Sequence, residues 1–120
     1  MKKLTIDRNT WLRGDSKSSA LLRAEDGKMC CLGFCAVQSG IPADGIADLG
    51  RPDDVDTEFY ELWPTGLICV DEDADDEYSL SDVAERLIAE NDSFYTPDSE
   101  REQRIASLFS SIGIEVQFIN

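Results

Sequence analysis

Six of the seven residues in DEDADDE, positions 71–77, are carboxylates, and three kinds of chemistry could use them. Asp71, Asp73, Asp75 and Asp82 stand at positions 1, 3, 5 and 12 of a calcium-loop pattern, whose hard cation wants several oxygens at such spacings. Position 6, however, is Asp76 where the sharp turn needs glycine, and position 12 is Asp rather than the longer bidentate Glu. The segment before it also reads as a strand, not a helix. A solvated loop is the second use, the common fate of like-charge blocks. The third is a docking surface for something basic. Residues of an extended chain advance by about 3.3 Å, and phosphates of one DNA strand by about 3.4 Å. Asp71, Glu72, Asp73, Asp75, Asp76 and Glu77 would then imitate one phosphate row. Asp53, Asp54, Asp56, Glu58 and Glu61 would supply a second.

The four cysteines are the other candidates. Cys31 and Cys35 would share a helix face and could chelate a metal. Tetrahedral zinc needs a second pair, from Cys30 or Cys69, and the chain has no histidine. Buried cysteine acting as a small hydrophobe fits better. Cys30 and Cys31 are adjacent, which disfavours a bridge between them. Without histidine there is no Cys-His or Ser-His arrangement, and no phosphate-binding glycine loop is present. The reading is a protein that is not an enzyme and needs no cofactor.

Charge distribution sharpens this. The 120 residues carry a formal net charge of −14. Met29–Glu85 holds fifteen acids against one base, Arg51, while the two flanks together hold ten of each. Such a middle repels phosphates, which excludes direct nucleic-acid binding through a basic footprint. It favours fast, salt-sensitive approach to basic surfaces. No apolar run approaches the 18 residues of a membrane span. The opening MKKLTID reads as no secretory signal, so reduced thiols in a cytoplasm are expected.

The elements that must position these residues read as one α+β domain over 1–120, helices on a small sheet. Lys3–Asp7 and Ile114–Ile119 alternate as strands, and Leu67–Val70 reads as a buried one. Asn9 or Thr10 caps a short turn through Trp11 and Leu12, and Asp26–Gly27 marks a tight turn. Helices are expected over Cys31–Ser39, Pro42–Leu49, Ser81–Glu90 and Pro97–Ile112, the last capped by Thr96. Arg51–Thr65 reads as a loop pinned by Phe59, Tyr60, Leu62 and Trp63.

The strings NTWLRG (9–14), LLRAEDGKMCCLGF (21–34), SGIP (39–42), RIASLF (104–109) and GIEVQF (113–118) resemble a family of small phage and prophage proteins. DGKMCCLGF is the most specific, and the middle of the chain is covered least. Some small acidic proteins of this kind are anti-CRISPR inhibitors, and this sequence is similar to an inhibitor of a type I system, subtype I-C. The resemblance implies a monomer in the host cytoplasm that binds the type I CRISPR surveillance complex and blocks its DNA channel. Trp11, Leu21, Leu22, Gly27, Cys31, Leu32, Gly33 and Phe34 would be scaffold, and the acids the contact. Two alternatives stand beside it. One is a metal-binding regulatory module using Ca²⁺ or Zn²⁺; the other is an inhibitor of a different DNA-binding defence protein.

Overall fold

The structure, a computed structural model, describes residues 2–15, 19–71 and 77–120. Along the chain run β1 (Lys3–Asp7), α1 (Cys31–Gln38), β2 (Ile68–Asp71), β3 (Glu77–Leu80), α2 (Asp82–Asp92), α3 (Asp98–Ser110) and β4 (Glu115–Ile119). Short 3₁₀ turns lie at Ala43–Gly45, Pro52–Asp54 and Thr57–Leu62. The fold is α+β, as expected, but its described strands form two small sheets rather than one. β1 and β4 pair in parallel, Lys3 opposite Glu115 and Asp7 opposite Ile119. β2 and β3 form a separate antiparallel hairpin. No helix among the described residues is long and apolar enough to cross a membrane.

Alternation places Leu4 and Ile6 of β1 fully inside the core. The outer edge of β1 is closed by a side chain. Thr5 N donates to Gln38 Oε1 at 3.0 Å, and Gln38 Nε2 donates to Thr5 O at 2.7 Å, so an amide stands in for a neighbouring strand.

Helix α1 is buried over Cys31–Ala36, which is why its apolar residues show no clear stripe. Gly33 is required there, because a Cβ would lie 1.7 Å from the Leu21 carbonyl oxygen. The helix ends at Ser39, followed by Gly40 at φ +99°. In α2, Ser81 Oγ accepts from Ala84 N at 3.1 Å and caps the first turn. Ala84 and Leu87 of α2 and Ile105 and Phe109 of α3 are fully buried, facing a core that also holds Leu21, Leu32 and Ile114.

Several expectations change for identifiable reasons. The backbone at 10–12 pairs with Met29, through Met29 N to Thr10 O at 3.0 Å and Leu12 N to Met29 O at 2.7 Å. No helical turn forms at Trp11. The helix expected over 42–49 shrinks to the Ala43–Gly45 turn, since Ala47 bridges to Leu22 and Asp48 N donates to Leu22 O at 2.7 Å. Helix α3 begins at Asp98 with Pro97 as its cap; the Thr96 hydroxyl is engaged with Ser93 Oγ at 2.7 Å instead. The Asp26–Gly27 turn is present, with Gly27 at φ +75°. Arg23 Nε donates to Asp26 at 3.0 Å, and this contact, helped by the Lys28 amide, holds the Asp26 carboxyl down at about 2.

Two buried polar groups tie these pieces together. Asn91 is fully buried: its Oδ1 accepts from Trp11 Nε1 at 2.8 Å and Cys31 N at 3.0 Å, and its Nδ2 donates to Leu12 O at 2.9 Å. One side chain thus joins α2, α1 and the segment after β1. Arg101, 3% exposed, donates through Nε to Glu90 O at 3.2 Å and through Nη2 to Thr96 O at 2.9 Å and to Ser93 O. It locks the connection between α2 and α3.

Candidate partner-binding surface

The acids of 71–77 begin and end in the hairpin. Asp71 is the last residue of β2 and Glu77 the first of β3, and the two are register partners. The two ends of the run therefore stand opposite each other across the hairpin, not six strand steps apart as one extended row requires. Glu72, Asp73, Asp75 and Asp76 lie outside the described residues. β3 also fills positions 7–10 of the calcium-loop pattern and pairs back onto β2. That strand is incompatible with the helix–loop–helix geometry the pattern belongs to.

The second group sits on two 3₁₀ turns instead of an irregular loop. Asp53 and Asp54 belong to Pro52–Asp54, and Glu58 and Glu61 to Thr57–Leu62, with Asp56 as the cap between them. Pro52, Val55 and Trp63 are buried and anchor the segment, with Phe59 and Tyr60 half-buried, while Leu62 is exposed. Asp54, Asp56, Glu58 and Glu61 face solvent; Asp53 is half-buried. The Asp53 carbonyl accepts from Tyr60 Oη at 2.6 Å, bracing one turn on the other. Residues three apart stack on a 3₁₀ helix, so Glu58 and Glu61 rise about 6 Å apart on one face. That is close to the about 7 Å between alternate phosphates of a DNA strand. The Pro52–Asp54 turn packs against β3, so the elements carrying both acid groups are neighbours.

Ion pairing separates this region from the rest. Arg8 pairs with Glu102, Arg13 and Arg101 with Asp98, Arg23 with Asp26, and Arg104 with Glu90 and Glu100. All of these belong to the flanks. Within the acidic middle, Arg51 meets Asp53 at 3.2 Å. Among the described residues, no cation pairs with Asp54, Asp56, Glu58 or Glu61.

The cysteines are not gathered for chelation. Cys30, Cys31 and Cys35 are buried and free, and Cys69 is free and exposed on β2. Burial pushes the Cys30 and Cys35 thiols up to about 12 and Cys31 well above its ordinary value. These are small core hydrophobes, as the absence of a partner pair suggested. Among the described residues, no three of Cys, Asp and Glu form a metal-holding group.

Sequence reasoning missed the connection between α2 and α3. Phe94 and Tyr95 are 79% and 92% exposed, with ring centroids 5.4 Å apart in an edge-on contact. Two adjacent aromatics between helices signal either a core plug or a presented patch, and burial alone separates these. Compared with protein-family models, curated proteins and solved structures, the chain gives no match.

Proposed function

We propose that this protein is a stoichiometric inhibitor whose acidic side occupies a basic, nucleic-acid-holding channel of another protein. In the reading the sequence resemblance implies, that partner is the type I-C CRISPR surveillance complex, and the protein is phage-encoded and acts as a monomer in the host cytoplasm. The supporting observation is the separation of charge: five flank arginines, Arg8, Arg13, Arg23, Arg101 and Arg104, pair with flank acids, while Asp54, Asp56, Glu58 and Glu61 are exposed without a cation among the described residues. Carboxylates so placed keep their field available to a partner. A channel evolved to hold a phosphate backbone supplies the complementary field. Inhibition would be competition for that channel, with no bond made or broken.

The test measures binding to purified type I-C surveillance complex at low and high salt, with target DNA as competitor. The expected result is binding that weakens steeply with salt and is displaced by DNA. Amide replacement of Asp53, Asp54, Asp56, Glu58 and Glu61 together with Asp71, Glu72, Asp73, Asp75, Asp76 and Glu77 should weaken it by at least about tenfold, each tenfold being 1.4 kcal/mol. A folded amide variant that still inhibits fully rules the mimic out.

A further inference from the structure

The turn between α2 and α3 is built more firmly than a connection needs. Arg101 binds the carbonyl oxygens of Ser93 and Thr96, which bracket Phe94 and Tyr95 on either side. The Ser93 and Thr96 hydroxyls close the same bracket at 2.7 Å. The guanidinium also reaches Glu90 O at the end of α2 and Asp98 in the first turn of α3. Such a clamp would hold any sequence at 94 and 95. What it holds out is a pair of aromatic rings, far more exposed than Val37 and Leu62, the other large exposed hydrophobics among the described residues, at 40% and 41%.

Aromatic side chains dominate interface hot spots, and rigid presentation removes much of the ordering cost of binding. A second copy of this chain is a poor occupant, because it would bring two molecules of net charge −14 together. The same charge favours a basic protein surface. The acidic hairpin leads into the first turn of α2 and the rings follow its last; the 11 residues of α2 rise about 16 Å. The two features thus lie at opposite ends of one helix.

We propose that Phe94 and Tyr95 are an apolar anchor that enters a hydrophobic pocket bordered by basic side chains on the protein whose channel the acids occupy. The identity of that partner rests on the function proposed above; the anchor itself rests on the clamp and the exposed rings. The experiment compares wild type, the Phe94→Ala/Tyr95→Ala variant and the amide variant for binding to purified type I-C complex at two salt concentrations. Melting temperature and sedimentation are measured on each. The ring variant should keep its melting temperature and lose at least about tenfold in affinity, equally at both salts, as hot-spot truncations do. The amide variant should instead lose the salt dependence. Undiminished binding by the ring variant overturns the anchor and leaves the acidic contact standing. Undiminished binding by the amide variant alone does the reverse. Self-association of wild type that the ring variant abolishes assigns the rings to a second copy and overturns the anchor. Failure of wild type to bind overturns both readings.

Discussion

Cys30, Cys31 and Cys35 spend their thiols on packing, and this sets an alkaline limit to the fold. Burial raises Cys30 and Cys35 to about 12, whereas an unfolded thiol ionises near about 8.5. The native state therefore keeps protons that the unfolded state gives up. Stability is fully present below the unfolded value and is lost as pH rises towards the folded one, by about 1.4 kcal/mol per thiol for each pH unit. Urea titrations from pH 8 to 11 should show falling stability, and a Cys30→Ala/Cys35→Ala pair, though weaker overall, should show a shallower slope. At pH 8 a thiol reagent should modify Cys69 promptly in the native protein and the other three only after denaturation. Prompt native labelling of all four would contradict the burial.

At the scale of elements, Gly33 decides how closely α1 approaches the segment before it. Replacing glycine by alanine within a helix ordinarily gains about 1 kcal/mol. Here the new Cβ would meet the Leu21 oxygen at 1.7 Å. Leu21 cannot easily yield, being fully buried and tied through its N–H to Leu49 O at 2.7 Å. Gly33→Ala should therefore cost about 3 kcal/mol or more in a urea titration; a gain would mean that the contact relaxes freely. Elements with their own periodicity were legible in the sequence: β1, β4, α2 and α3 carry 2-fold or 3.6-fold patterns that need no partner to be read. Residues 10–12 and 46–49 were not, because Met29 and Leu22 take their backbone groups and nothing local announces such pairings. The acids were legible as a group, but their arrangement was not. β3, with sequence EYSL, has too little apolar pattern to reveal the hairpin that folds Asp71 back onto Glu77. The clamp behind Phe94 and Tyr95 was hidden for a different reason: Arg101 shares the i, i+4, i+8 face of Ile105 and Phe109, but a charged residue ordinarily reads as solvated.

The whole molecule behaves as two electrical parts, a neutral pair of flanks and a middle holding the net charge. Carboxylates that repel one another oppose compaction, and salt shortens the reach of that repulsion from about 10 Å at 0.1 M to about 3 Å at 1 M. Raising sodium chloride from 10 mM to 0.5 M should lift the melting temperature by about 2–5 °C, the equivalent of less than about 1 kcal/mol. The amide variant should start higher and rise less. A melting temperature that falls with salt would mean that the flank ion pairs outweigh the repulsion of the middle.

The parallel ladder of β1 and β4 has a consequence for how the protein comes into being. Helix α1 packs on one side of β1, but the strand that pairs with Lys3–Asp7 is Glu115–Ile119, so on the ribosome this ladder must wait until residue 119 has emerged. Closing so long a loop is what makes such folds slow to form. The hairpin, α2 and α3 can assemble from neighbours in sequence, but the β1–β4 ladder closes only when two strands more than a hundred residues apart meet.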